Sequence, residues 1–507
     1  MSDKLLTKKQ LKLISIKLKK QKKKIILVHG VFDVVHFGHI SHFQEAKSHG
    51  DILVVSITPD RFVKKGFNKP YFNELQRAHF LSSLETIDYV IINDNKSSIS
   101  VINELKPSIY CKGPDYSKKS GDIAGNLGAE KNAVEKFGGR LIFTKGKLYS
   151  STKILNNNFE DFNLGKKKID EIYKDQSDKI YALNEFNKAL NKVKNEKILI
   201  IGEIIFDVYN HSTQLGTPSK ENILSVKFEN KKKYFGGTIP VVNTISEISK
   251  NVTFASLMKS KSIHKILKRN INQNVKTKFF YEKNFKDIFK TRFIDVNNRK
   301  KFFEYYDFNN IEYFNLALKN YLNKNIRKFD KVIICDFGHG LFNSEIINLI
   351  QNKAKFICAN IQTNSGNRGF NLFTKYSKLD LLCVDEPELR LGLKEKFTPI
   401  DKLIKNNYLK KYKNIIVTRG INGLIIKLYN SKNKFLEFPA LNNKAIDTMG
   451  AGDAVYSYCA SLIKNTYNQK IIAIAGSIAG AIKVNILGHS KNVKIEDVKR
   501  SFDTILK

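Results

Sequence analysis

The chain holds 507 residues, 87 of them Lys or Arg against 48 Asp or Glu, for a net charge of +39, and 42% are hydrophobic. That length exceeds one ordinary core and predicts two or three domains, with apolar content enough for sizeable cores. The longest apolar run, Ile471–Ile482, is too short for a membrane span, so no membrane partner is expected.

The five cysteines (Cys111, Cys335, Cys358, Cys383, Cys459) are scattered with no CxxC pair. This suits a reducing cytoplasm and argues against a disulfide framework or a zinc site. The basic start KKQLKLISIKLKKQKKK lacks the apolar core and cleavage site of a signal peptide. Charge alone would fit a basic surface for nucleic acid. Yet the lysines run along the whole chain beside abundant Asn and Ile, as an AT-rich genome produces, and no RNP, zinc-finger or homeodomain signature accompanies them. No nucleic-acid partner is expected.

Residues 4–23 read as a basic helix. From 25 to 145, strands and helices alternate: strands at 24–29, 51–57, 88–93, 108–113 and 140–144, helices at 38–49, 73–84, 98–105 and 129–137. Such alternation predicts a parallel doubly wound sheet, with ligands at the carboxyl ends of its strands. The first strand runs into HGVFDVVHFGH (His29–His39). A strand leading into a helix N-terminus is a ready anion site, and Gly38 lets the backbone approach a phosphate. His36 and His39, three apart, would put two imidazoles in that mouth.

A lone HxxH would read as surface histidines, but this string resembles the nucleotidyltransferase superfamily of cytidylyl- and adenylyltransferases. The resemblance implies that His36 and His39 stabilise charge on an α-phosphate. It also implies nucleotide binding by Gly30, Phe32, Asp33 and Gly38. Glu74 and Arg77, one turn apart, match its ExxR element, with Arg77 on phosphate or nucleotide. Lys112 in CKGPDYS (111–117) would help form the site mouth, and Ser151 and Thr152 in YSSTKIL (149–155) would cap a helix and bind the triphosphate.

The polar stretch after 156 reads as a linker (158–180), dividing a transferase domain at 1–157 from a second domain at 181–507. There KILIIGEIIFDVYN (197–210) is an apolar strand leading to Asp207. Gly236 and Gly237 form a tight approach before a helix bearing Asn243, while 331–342 and 411–428 are strand–turn units. In DTMGAGDAVYSYCASL (447–462), Gly450, Ala451 and Gly452 sit at a helix N-terminus, where three successive N–H groups can hold an anion. Asp453 follows, placed to accept a hydroxyl proton during attack on a γ-phosphate.

The order and spacing of these elements resemble the ribokinase-type (PfkB) sugar kinases, which implies a ribokinase-like α/β fold. By that match Asp453 is the catalytic base and Gly450, Ala451 and Gly452 the anion hole. Asp207, Gly236, Gly237 and Asn243 would line the sugar site, and Thr418, Arg419 and Gly423 would lie by the ATP phosphates. Glu388 would organise Mg²⁺ through water beside Asp385, which stands in the place of an Asn.

Such a kinase joined to such a transferase resembles the bifunctional heptose-7-phosphate kinase/heptose-1-phosphate adenylyltransferase family. The resemblance implies a cytoplasmic enzyme using ATP in the kinase, ATP or CTP in the transferase, and Mg²⁺ in both. Its partners would be a sugar phosphate and nucleotides, and a homodimer is allowed. Three departures stand out: the transferase comes first, LGTPSKENILSV (215–226) replaces a SPEAP-like run, and NIQTNSGNRGFN (360–371) lacks the family's Asp and Lys. Two alternatives stay open: a polyol-phosphate cytidylyltransferase fused to an unrelated sugar kinase, and a nucleic-acid-binding protein on a retired enzyme scaffold.

Overall fold

The computed structural model describes the chain except residues 1–3, 64–69, 71, 114–126, 146–166, 174, 219, 298–299, 310, 432–433, 443–444, 446 and 507. It divides into two compact units, Met1–Asn163 and Leu164–Lys507.

The first unit is built on six strands: β1 (Leu5–Leu6), β2 (Ile25–Gly30), β3 (Ile52–Ile57), β4 (Tyr89–Ile92), β5 (Ile109–Lys112) and β6 (Arg140–Phe143). They lie in the order β1-β4-β3-β2-β5-β6, every pair parallel. The run Ile25–Val28 is fully buried because helices cover both faces of the sheet. Those helices are α1 (Lys8–Lys20), α2 (Phe37–Ser48), α3 (Glu74–Ser82), α4 (Ile99–Leu105) and α5 (Leu127–Glu135). β2 sits at the switch of strand order, between β3 and β5, which is where doubly wound sheets open a crevice. β1 is an addition to the elements read from sequence: a two-residue strand carries no periodicity to read.

The second unit begins with helical residues 167–172 inside the stretch whose polarity reads as linker, and Ile169 there is fully buried. Helix α6 (Gln176–Val193) follows. Nine strands form the main sheet: β7 (Lys197–Gly202), β10 (Asn251–Met258), β11 (Lys276–Tyr281), β14 (Lys331–Asp336), β15 (Ile357–Ile361), β16 (Leu379–Asp385), β17 (Tyr412–Thr418), β18 (Leu424–Lys427) and β19 (Phe435–Phe438). Their order is β11-β10-β7-β14-β15-β16-β17-β18-β19, parallel up to β17 and antiparallel beyond. A second sheet, ordered β13-β12-β8-β9, comprises β8 (Ile204–Gly216), β9 (Ser225–Gly237), β12 (Ile288–Asp295) and β13 (Lys301–Asp307).

The apolar strand read across 197–210 is thus two strands in two sheets, parted at Glu203. Gly202 makes the departure possible, since a Cβ there would lie 2.2 Å from Thr238 Oγ1 and 2.6 Å from the Cys335 carbonyl oxygen. The buried Glu203 carboxylate then accepts the N–H groups of Phe337 (2.8 Å) and His339 (3.0 Å), which shapes the loop after β14. Around the main sheet pack α7 (Thr238–Ile248), α8 (Glu386–Leu393), α9 (Ala451–Leu462), α10 (Gln469–Lys483) and α11 (Ile495–Leu506). β14, β15, β16 and β17 end at Asp336, Ile361, Asp385 and Thr418, which pair in register at one edge. The loops beyond that edge carry the polar residues described next.

Candidate active sites

In the first unit the crevice lies where β2 gives way to α2. His36 is the N-cap of α2, with extended backbone, and His39 lies one turn in. Their rings stack with centroids 3.9 Å apart. Gly38 is in the first turn between them, where helix N–H groups and the helix dipole favour an anion. Gly30 ends β2, and a Cβ there would stand 2.7 Å from the Phe32 ring. His36, His39, Gly38 and Gly30 are therefore brought together, as the sequence pattern requires.

Four other residues expected to touch nucleotide have further tasks. Phe32 holds a left-handed backbone (φ +48°) and is buried, set edge-on against His39 at 5.4 Å and Phe43 at 5.1 Å. It braces His39 from behind. Asp33 is buried and accepts the Phe72 N–H at 3.0 Å.

Arg77 is the clearest correction. It is 1% exposed, and its guanidinium donates to the carbonyls of Phe72 (3.0 Å), Thr58 (2.9 Å) and Val31 and to the Asp60 carboxylate (2.6 Å). A buried guanidinium must spend its donors inside the protein, so Arg77 ties three segments of the crevice wall together and lines a small cavity with Phe32, Asp33 and Phe72. Glu74 joins this network through Asp60, accepting the Asp60 N–H at 2.8 Å while its own N–H donates to Asp60 at 3.1 Å.

Lys112 likewise turns inward, with its ammonium 3.1 Å from the buried Glu130 carboxylate. Beside that pair, His29 contacts Ser56 Oγ at 3.1 Å, and burial first, then the Lys112 charge, pull its pKa down to about 4. His29, Asp60 and Glu130 had no role in the sequence reading. Asp60 gave one usable signal, an acid just past a strand end. Ser151, Thr152 and residues 114–117 of the CKGPDYS stretch lie outside the described residues.

In the second unit two cavities meet at Asp453. The first, about 670 Å³, is lined by Asp207, Gly237, Lys290, Arg292, Glu304, His339, Gln362, Arg368, Glu388, Gly450, Asp453 and His489, among others. The second, about 480 Å³, is lined by Thr418, Gly423, Leu424, Ala440, Ala451, Gly452, Val455 and Ala481, and it shares Asp385, Glu388, Gly450 and Asp453 with the first. Apolar walls with a glycine turn at one end suit a nucleotide, while the polar cavity suits a sugar.

Asp453 is in the first turn of α9 and accepts a 2.7 Å hydrogen bond from Gln362 Nε2. Burial raises its pKa to about 6, against the Gln362 bond and the Lys483 charge, which lower it. A carboxylate so poised can take a proton near neutral pH. Gly450 caps α9 with φ +74°, a left-handed conformation that favours glycine. Of the three N–H groups expected at this turn, that of Ala451 points to the Thr448 carbonyl at 3.3 Å. Those of Gly452 and Asp453 have no acceptor among the described residues.

Asp207, on β8, forms a buried ion pair with Arg292, and His489 Nε2 lies 3.7 Å from its other oxygen. Gly236 lets this carboxylate close in, since a Cβ would come within 2.0 Å of Asp207 Oδ2. Asn243 is the second correction. Its amide donates to the Asn270 carbonyl at 2.8 Å and accepts the Asn272 N–H at 3.0 Å, so it pins a loop and lines neither cavity. Arg419, 2.9 Å from Glu386 and 3.5 Å from Glu437, is held at the rim beside Thr418.

Asp385 and Glu388 form a capping box at the start of α8, with Pro387 in the first turn. Glu388 accepts the N–H groups of Thr363 and Asp385, each at 2.8 Å, and burial with the Asp385 charge raises its pKa to about 8. Among the described residues no cluster of three His, Cys, Asp or Glu side chains could cage a metal. This donor set, two carboxylates with backbone bonds on them, fits a hydrated Mg²⁺ carried by phosphates rather than a caged ion. Arg292, Gln362 and His489 escaped the sequence reading because each reaches the site from a separate element.

Two stretches of the chain match two families. Residues 27–157 match the cytidylyltransferase-like family and residues 195–493 the pfkB family of carbohydrate kinases. The chain belongs to the pfkB carbohydrate kinase family, with a cytidylyltransferase-like domain ahead of the kinase domain. Both are transferase domains.

Among its relatives, "Bifunctional protein HldE" of Geobacter metallireducens is 40% identical over 139 residues, covering 26% of each chain. "Bifunctional protein HldE" of Citrifermentans bemidjiense is 42% identical over 121 residues, covering 24% of this chain and 23% of the relative. These matches fall on the transferase domain. The chain thus spans about a quarter of the length of the curated relatives it matches. A crystal structure of ribokinase from Thermotoga maritima overlays with a TM-score of 0.48 at 18% identity, covering 61% of this chain and 99% of that one.

Proposed function

We propose that the chain is a bifunctional enzyme that phosphorylates a heptose-like sugar phosphate at its 1-hydroxyl and, in a separate reaction, transfers a nucleotidyl group to a sugar 1-phosphate. Kinase chemistry is assigned to 181–507 and nucleotidyl transfer to 1–157. The observation that carries the reading is the meeting of a polar and an apolar cavity at Asp453. A sugar hydroxyl in the first and a γ-phosphate from the second would come together there.

In the kinase step the hydroxyl oxygen bonds to the γ-phosphorus as the bond from that phosphorus to the β–γ bridging oxygen breaks. ADP leaves with the electron pair, and the hydroxyl proton passes to Asp453. The Gly452 and Asp453 N–H groups hold the transferred phosphoryl group. Lys290, Arg292 and Arg368 in the polar cavity support a substrate that already bears an anionic group. Asp385 and Glu388 would hold Mg²⁺ through water, and that ion would supply charge neutralisation at the nucleotide phosphates.

In the transferase step an oxygen of the sugar 1-phosphate bonds to the α-phosphorus of ATP or CTP. The α–β bridge breaks, and pyrophosphate leaves with the electron pair. His36, His39 and the α2 N-terminus face the charge that builds on the α-phosphate. The product, a nucleotide-activated sugar, suits surface polysaccharide synthesis in the cytoplasm.

The test is ADP and pyrophosphate release, measured separately, with ATP and CTP and a panel of sugar phosphates that includes heptose 7-phosphate and heptose 1-phosphate. Both releases with the heptose pair are expected. Pyrophosphate release with CTP and a polyol phosphate alone would replace this reading with a cytidylyltransferase of another pathway. No release with any pair would remove the enzymatic reading.

A further inference from the structure

Lys483 is the last residue of α10 and is 3% exposed. Its ammonium donates to the Gly488 carbonyl. Among the described residues no carboxylate lies within 4.0 Å of it, whereas most of the chain's buried cations, such as Arg77, Lys112, Arg292 and Lys331, have one. A buried cation without a contacting counter-ion is costly, and the cost falls when an anion is brought close.

Asp447 and Asp453 act on it from further off, each raising its pKa against burial, and the surroundings show where a further anion would sit. A Cβ on Gly450 would lie 3.0 Å from Lys483 Cε and 2.9 Å from His489 Cε1, so the lysine stem packs directly behind the turn that caps α9. Two ties lock this geometry. The Gly488 N–H donates to Asp447 Oδ2 at 2.9 Å, and Asp447 Oδ1 accepts the Met449 N–H at 3.2 Å and Lys301 Nζ at 3.0 Å. The Asp447 N–H in turn donates to the Val484 carbonyl at 3.1 Å. The loops 447–450 and 484–489 are thereby clamped together, with the ammonium enclosed beside them.

We infer that Lys483 is the fixed cation of the kinase centre, its ammonium placed behind the Gly450 turn to balance the phosphoryl group that the Gly452 and Asp453 N–H groups receive. Lys483 is a positioning residue in this scheme, acting through the turn and through the charge it places near Asp453. Its electrostatic pull on Asp453, downward against burial, has the same direction. Because the charge belongs to the chain, the wild-type centre requires no small cation at this point. The inference rests on the kinase reading above.

The experiment compares the full chain with Lys483→Met and Lys483→Arg. For Lys483→Met, the kcat of ADP release is expected to fall about 100-fold, as when one anion-hole donor is removed, with the KM for the sugar phosphate changed less than about twofold. Ammonium chloride or potassium chloride should restore part of the lost rate by entering the vacated space, while the wild type stays indifferent to both. Pyrophosphate release by the transferase domain should be unchanged in the same preparation. Wild-type kcat in Lys483→Met, or a loss that neither salt relieves, would overturn the inference. Should Lys483→Met fail to fold, Lys483→Arg decides: a folded, active arginine variant supports the fixed charge, and a folded, inactive one overturns it. If the wild type phosphorylates no sugar, the kinase reading fails separately. Calorimetric ATP binding then still judges Lys483, about tenfold weaker in Lys483→Met if the inference holds and equal if it does not.

Discussion

The two sites of this chain are built in opposite ways. The transferase crevice draws its histidines from eleven consecutive residues, His29–His39, and its cations are committed inward: Arg77 to three carbonyls and Asp60, Lys112 to Glu130. The kinase centre gathers Asp207, Arg292, Gln362, Glu388 and Asp453 from five separate elements, and its acids are buried along with its cations. Burial holds Asp453 near 6 and Glu388 near 8, values at which a carboxyl exchanges protons near neutrality. One site is a local motif stiffened by buried cations. The other is a tertiary assembly whose desolvation tunes its acids.

The contrast is sharpest for single substitutions at the reacting groups. Asp453→Asn should lower ADP release about a thousandfold and leave pyrophosphate release untouched, because it removes the proton acceptor of one site only. His39→Ala should do the converse, lowering pyrophosphate release by about a hundredfold or more. Parallel assays of the two products on each variant check both, and equal loss of both activities in a folded protein would break the two-site description.

Arg77→Met leaves the Val31, Thr58 and Phe72 carbonyls and Asp60 without their donor. A loss of about 3 kcal/mol is expected in urea unfolding of the full chain, as for a broken buried ion pair. A loss of activity without loss of stability would return Arg77 to direct phosphate contact.

A smaller effect tests the raised acid. The kcat/KM of phosphorylation should fall about tenfold per pH unit once the pH drops below about 6, because protonating Asp453 removes the base. The residual rate of Asp453→Asn should lack that limb. The smallest effect concerns the capping box: Asp385→Ala should cost about 1 kcal/mol and Asp385→Asn only a few tenths, since Asn also caps. Thermal melting distinguishes the two, and equal melting temperatures would remove the cap from the account.

How much was legible follows the same division. The strands at 25–30, 52–57, 89–92, 109–112 and 140–143 lie within a residue of where alternation and apolar runs put them, because a strand buried on both faces advertises itself. The placement of His36, His39 and Asp453 at helix starts was legible because glycines, strand ends and helix starts are encoded within a few residues of them. Arg77 and Asn243 were legible as motif members but not as the internally bonded side chains they are. Their spacing matches a binding motif, but whether a side chain faces a cavity or a carbonyl depends on segments far along the chain. Glu388 matched its motif, yet the backbone bonds that occupy its carboxylate come partly from Thr363.

By itself the sequence determined that this is a two-domain α/β chain with a histidine-bearing strand–helix turn in one part and a glycine-turn acid in the other. Hydrophobic periodicity, helix caps and turn residues act over a few positions and are written there. Only the tertiary structure decided which charges are spent on the scaffold and which face the cavities. Arg77 inside a wall, Arg292 on Asp207 and Lys483 behind Gly450 are set by long-range packing. Burial and distance are properties of the folded chain, and they alone determine what each ionisable group can do.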